Sequence, residues 1–104
     1  MFGFGKKANF NELLAQYRTQ PDAILVDVRD ADEYAQGHVP GAQNVPLAAL
    51  RSFAQQVPDY DTPLYVYCLS GGRSFKAATV LRGVGFTEVH DLGGIKSYQG
   101  ELEK

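Results

Sequence analysis

A second cysteine is missing from this chain of 104 residues. With Cys68 as its single thiol the chain cannot build an internal disulfide framework. Nor does it hold a resolving thiol, so a covalent sulfur intermediate would have to be discharged by an external partner. Charge of one sign is scarce too. Lys and Arg number 10 against 12 Asp and Glu, a net charge of -2, and no nucleic acid is expected as a partner. No apolar run approaches the length of a membrane span, so no membrane partner is expected either. Met1 to Lys7 carries two lysines without a following apolar region, which is not the pattern of a signal peptide. There is no repeat, no low-complexity tract and no linker long enough to divide domains. These absences predict one domain over residues 9–104 after a short N-terminal segment, 1–8. A monomer in a reducing compartment is expected, most simply the cytoplasm.

What is present is an ordinary globular composition, 44% hydrophobic, with patterning that alternates in period. Asn9 and Glu12 have capping-box spacing, and Phe10, Leu13, Leu14 and Tyr17 follow a helical stripe, which predicts a helix over 10–19. Ile24 to Val28 is a short apolar run bounded by charges and reads as a buried strand. Asp30 and Glu33 repeat the capping-box spacing before a very short helix that Gly37 would end. Gly37 to Pro46 is a turn with a brief extended piece around Ala42 to Val45. Leu47, Leu50, Ala54 and Val57 share one helical face. Leu64 to Tyr67 is a second buried strand, Ala77, Val80, Leu81 and Val84 a further helical stripe, and Glu88 to Leu92 a third strand. Gly93-Gly94 leads into a C-terminal helical turn. Strands alternating with helices predict an α/β domain, a small open parallel sheet with helices on both faces. In such sheets ligands bind beyond the carboxyl ends of the strands.

Cys68 stands at such an end. A lone cysteine is more often a small buried hydrophobe than a nucleophile. Here the apolar run ends on the thiol, and Leu69-Ser70-Gly71-Gly72-Arg73-Ser74 follows. Gly71 and Gly72 let the backbone curl so that several N–H groups point inward. A helix starting near Ser74 adds a positive dipole end, and Arg73 adds a fixed charge, either facing the pocket or bracing the loop from behind. Such surroundings favour the thiolate, the nucleophilic form. No histidine lies near Cys68 in sequence, so a protease-like Cys–His pair is unsupported. An anion-cradled thiolate is the better reading.

With these residues in view the chain resembles the single-domain rhodaneses, sulfurtransferases of the thiosulfate type. Three stretches carry the likeness. The first is Asp27-Val28-Arg29, followed by Glu33-Tyr34, Gly37-His38-Val39-Pro40-Gly41-Ala42, Asn44 and Pro46. The second is Cys68-Leu69-Ser70-Gly71-Gly72-Arg73-Ser74, which matches a Cys-x-x-Gly-x-Arg-Ser loop. The third is Gly93-Gly94 followed by an aromatic residue. The resemblance implies a rhodanese-like fold and a two-step mechanism. Cys68 would take sulfane sulfur from thiosulfate, a polysulfide or a persulfide, and the backbone N–H groups of residues 69–73 would cradle the resulting Cys68 persulfide. The sulfur would then pass to cyanide, a thiol or a protein acceptor. No metal and no organic cofactor are implied.

Several residues also have plainer readings. Asp27 and Arg29 follow a strand and are favoured as a salt-bridged brace over a substrate contact, since ion-pair networks are often structural. Glu33 stands where two-domain thiosulfate enzymes carry Arg, and Leu69 and Ser70 stand where those enzymes have basic residues. Weak thiosulfate binding is therefore expected. His38 is read as ordering the Gly-Pro-Gly turn by hydrogen bonding, and Ser74 as a helix starter of N-cap type. Phe75 is a candidate for the pocket rim or a docking surface, and equally a partly covered aromatic beside the loop. Tyr98 replaces the usual Trp, a change of packing more than of chemistry. The competing functions are a dedicated sulfur carrier, a non-catalytic rhodanese-like interaction module, and a Cys-dependent phosphatase or arsenate reductase. The last is disfavoured because only four residues, Leu69 to Gly72, separate Cys68 from Arg73. That makes a cradle tighter than the Cys-x5-Arg loop of those enzymes.

Overall fold

A computed structural model describes residues 8–104, so most of the expected N-terminal segment, 1–8, lies outside the described residues. The elements run α1 (Phe10–Arg18), β1 (Ile24–Asp27), α2 (Ala31–Ala35), β2 (Gln43–Asn44), α3 (Leu50–Gln56), β3 (Leu64–Cys68), α4 (Gly72–Val84) and β4 (Val89–Gly94). Short 3₁₀ turns at Leu47–Ala49 and Ile95–Ser97 precede α3 and follow β4. Among the described residues no helix is long and apolar enough to cross a membrane.

The strands form one parallel sheet in the order β2-β1-β3-β4. Side chains on a strand alternate between faces, and β3 shows what that does here. Leu64, Val66 and Cys68 enter the core shared with Leu50, Ala54, Ala77 and Leu81 of α3 and α4. Tyr65 and Tyr67 enter the opposite core with Phe10 and Leu14 of α1. Every residue of β3 is buried. Helices thus cover both faces, as the alternation of strand and helix patterns requires.

Local chemistry sets the element ends. The Asn9 side chain accepts from the Glu12 N–H at 2.9 Å, and the Glu12 carboxylate accepts from the Asn9 N–H at 2.9 Å, closing the box that starts α1. At α2 the Glu33 carboxylate accepts from the Asp30 N–H at 2.9 Å. β4 runs two residues past the expected end at Leu92. A register shift between Val66 and Tyr67 leaves Leu92 without a partner on β3, after which Tyr67 pairs with Gly93 and Cys68 with Gly94. β2 lies on one side of β1, and β3 and β4 lie on the other, so the strand order reverses direction between β1 and β3. The segments after β1 and β3 therefore diverge at the carboxyl end, the place where open sheets leave a crevice.

Candidate active site

Cys68 is the last residue of β3 and is 1% exposed. Gly71 turns the chain back toward it. Its φ of 111° lies in the left-handed region that favours glycine, and its N–H donates to Cys68 Sγ at 3.0 Å. α4 begins at Gly72, two residues before the expected start at Ser74. Ser74 is therefore not the N-cap; Gly71 is. The Ser74 side chain sits within the first turn, fully buried. Its hydroxyl donates to the Gly71 carbonyl at 3.1 Å and lies 3.4 Å from Sγ. In the thiol form the S–H donates to this oxygen; in the thiolate the hydroxyl can turn and donate to sulfur.

These contacts decide the state of the sulfur. Burial pushes the Cys68 thiol up, but the Ser74 hydroxyl and the backbone N–H groups of Ser74, Gly71 and Arg73 together outweigh it, so the thiol titrates below its ordinary value. Neither histidine takes part. His38 stacks on Tyr34 with ring centroids 3.7 Å apart and bonds the Tyr34 carbonyl through Nδ1 at 3.0 Å. His90 stacks on Tyr65, which points into the core opposite to that of Cys68, and meets Glu88 at 3.0 Å.

The charged residues resolve into two braces. Asp27 is fully buried and takes the Arg29 guanidinium through Nε at 3.0 Å and Nη2 at 2.7 Å. Arg29 also donates to the Gly37 carbonyl at 2.8 Å, and Asn44 ties down the carbonyls of Asp27 and Arg29. Arg29 also borders the crevice. Arg73 makes a two-pronged pair with Glu33, at 2.7 and 3.0 Å. Its guanidinium braces the loop from behind while its N–H serves the sulfur. Arg73 and the Asp30 N–H hold the Glu33 carboxyl down to about 2. Leu69 and Ser70 are exposed, and Phe75 is 67% exposed beside the loop.

A family model described as a rhodanese-like domain matches residues 9–101. The chain belongs to the rhodanese-like domain family. Among curated relatives, the uncharacterized protein YqhL of Bacillus subtilis is 40% identical over 93 residues, covering 88% of this chain and 71% of its own length. Thiosulfate sulfurtransferase GlpE of Ectopseudomonas mendocina is 39% identical over 80 residues, 77% of this chain and 72% of its own. Thiosulfate sulfurtransferase PspE of Escherichia coli is 40% identical over 72 residues, 68% and 69% of the two chains. A solved rhodanese with anions from E. coli superposes with a TM-score of 0.72 at 36% identity, covering 79% of this chain and 98% of that one.

In this rhodanese-like domain Tyr98 does what its position asks of a large ring. It lies 6.0 Å from the Phe10 ring and donates its hydroxyl to the Glu101 carbonyl at 2.9 Å. One residue of the site escaped the sequence reading except as part of a motif. A Cβ placed on Gly94 would lie 2.6 Å from the Leu69 carbonyl oxygen and 3.0 Å from Ser70 Cα. The active loop rests directly on the β4 backbone, and only glycine allows it. A glycine pair closing a strand beside the thiol-bearing strand was the available sign, since glycine within strands marks close backbone approach.

Two outcomes follow. Ser74→Ala removes the hydroxyl that holds the thiol down, so the thiolate absorbance of Cys68 should titrate at higher pH than in the wild type. An unmoved titration would leave the backbone N–H groups as the whole cause. Gly94→Ala should push the loop off β4, raise the same titration and slow Cys68-dependent turnover by about a hundredfold, the scale of a 1 Å misplacement. Turnover within a few fold of wild type would show that the loop tolerates the shift.

Proposed function

We propose that this rhodanese-like domain is a sulfurtransferase that carries sulfane sulfur on Cys68. The observation that bears the reading is the cradle itself: a buried sulfur at a strand end, met by the Gly71 N–H at 3.0 Å and the Ser74 hydroxyl at 3.4 Å, with no imidazole bonded to it. A thiolate stabilised by fixed dipoles needs no base. It attacks the outer sulfur of a donor; with thiosulfate the S–S bond breaks, sulfite leaves with the electron pair, and a persulfide remains on Cys68. In the second half-reaction an acceptor nucleophile takes the outer sulfur and the electron pair returns to Cys68 Sγ. The curated relatives named thiosulfate sulfurtransferase support this activity. The absence of a second cysteine supports an external acceptor, whether cyanide, a thiol or a protein. A monomer in a reducing compartment such as the cytoplasm suits a catalyst whose only thiol must stay reduced.

Treatment with thiosulfate or polysulfide should add one sulfur to the intact mass, removable by cyanide and absent in Cys68→Ser. Double-reciprocal plots at several acceptor concentrations should be parallel, since each half-reaction ends before the next begins. Sulfur gained by Cys68→Ser, or intersecting lines, would overturn the mechanism.

Donor preference follows from the braces. With Arg73 spent on Glu33 and Arg29 on Asp27, Lys96 at the edge of the crevice is, among the described residues, the one uncommitted cation that a thiosulfate dianion meets besides the backbone N–H groups. A charge-assisted contact contributes about 1.5–3 kcal/mol, roughly a tenfold to hundredfold in affinity. Thiosulfate should therefore show a high KM, and Ser70→Lys should lower it about tenfold with little change in turnover of polysulfide. A low wild-type KM that Ser70→Lys does not move would mean that the loop amides suffice.

A further inference from the structure

A cleft of about 480 Å³ lies beyond the carboxyl ends of β1, β3 and β4, beside the active loop. That volume is in the range of sites for organic small molecules and far exceeds what the few atoms of thiosulfate or cyanide fill. Its lining has two characters. Leu69 from the loop, Ile95 after β4 and Leu102 near the C-terminus form an aliphatic wall. Lys96, exposed and without an ion-pair partner among the described residues, stands at its edge. The other charges there are already matched, Arg29 by Asp27 and Glu33 by Arg73, which leaves one positive charge uncommitted.

The wall is tied in place. The His38 N–H donates to the Glu103 carbonyl and the Glu103 N–H to the His38 carbonyl, each at 2.8 Å. This two-bond clasp sets Leu102 against Gly37, where a Cβ would meet its Cδ1 at 3.0 Å. The Gly37 carbonyl in turn accepts from Arg29. Residues far apart in sequence thus hold an apolar side chain over the crevice, although Leu102 remains 49% exposed and Leu69 37% exposed. Two half-covered leucines beside an unpaired ammonium make a surface complementary to an apolar stem that ends in a single negative charge.

We propose that this cleft is the acceptor subsite, and that it takes a small thiol whose aliphatic stem lies on Leu69, Ile95 and Leu102 and whose carboxylate pairs with Lys96. This rests on the sulfurtransferase reading and names the acceptor class for it. In the transfer the acceptor thiolate attacks the outer sulfur of the Cys68 persulfide. A new S–S bond forms on the acceptor, the Cys68 S–S bond breaks, and its electron pair returns to Sγ. The proton carried by the outer sulfur leaves with the new persulfide, and nothing is oxidised or reduced overall.

The test uses the full chain, loaded with polysulfide and checked by intact mass, then turned over with 3-mercaptopropionate, its neutral amide or cysteamine. KM is compared for each acceptor across variants, so the acceptors' own thiol pKa values cancel. In Lys96→Met the KM for mercaptopropionate should rise about threefold to tenfold, the scale of a charge-assisted contact partly open to water, while that of the amide stays within about twofold. Lys96→Glu should raise the KM for mercaptopropionate and lower that for cysteamine, each relative to its own wild-type value. Leu102→Ala should raise KM for acid and amide alike while kcat at saturation holds; if that variant melts early, the two Lys96 variants decide. Equal shifts for acid and amide in Lys96→Met, or shifts of the same sign for mercaptopropionate and cysteamine in Lys96→Glu, would overturn the subsite while leaving the sulfurtransferase standing. Failure of wild-type Cys68 to take up sulfur would overturn both.

Discussion

An anionic sulfur can be kept inside a folded chain only if hydrogen-bond donors replace the water it loses, and the architecture around Cys68 follows from that requirement. Burial alone pushes the thiol toward its neutral form. The donors that reverse this come from one short loop and the first turn of α4. They converge only because Gly71 adopts a left-handed conformation and Ser74 turns its hydroxyl inward. The loop can close over the sulfur only by lying on the backbone of β4, which Gly94 permits. Each feature is local in sequence or in space, yet none has a purpose without the charge at the centre.

Donors hold an anion only if they stay put, and here two ion pairs keep them in place. Asp27 and Arg29 fix the segment after β1 from inside the protein. Glu33 and Arg73 join α2 to the loop from its outer side. The second pair is set against acid. Arg73 and the Asp30 N–H hold the Glu33 carboxyl at about 2, below its ordinary 4.5. A carboxylate lowered in this way contributes stability that is complete above about 4.5 and is lost as pH falls toward 2. The loop brace therefore persists through mildly acidic conditions.

What could be read from the sequence was local. Ile24 to Val28 and Leu64 to Tyr67 are apolar runs bounded by breakers, and they became neighbouring strands. The cysteine at the end of the second run, followed by glycines, became the last residue of β3, met by the Gly71 N–H. The parts not legible were those in which a residue's partner lies far along the chain. Ser74 reads as an N-cap because serine near a helix start usually is one. The sulfur instead requires the Gly71 N–H, so Gly71 takes the cap position, α4 starts at Gly72, and Ser74 is carried inside the first turn. Glu33 read as a departure in charge; its partner Arg73 lies 40 residues away, beyond β2, α3 and β3. The seat of Leu102 on Gly37 likewise depends on a clasp between His38 and Glu103 that no periodicity foretells.

Glu33 also shows how one side chain can join fold to specificity. Its carboxylate receives the Asp30 N–H at the start of α2, holds the Arg73 guanidinium behind the loop, and borders the cleft. The first contact helps start a helix of five residues, too short to be stable by propensity alone. The second removes the freedom of an arginine that would otherwise offer its charge to a donor. The same carboxylate that stiffens the cradle therefore takes cationic character away from the crevice. With the Asp27–Arg29 pair closed in the same way, Lys96 remains the uncommitted charge at its edge. A loop rigid enough to hold a thiolate and a pocket only weakly attractive to inorganic dianions thus come from the same pair of residues.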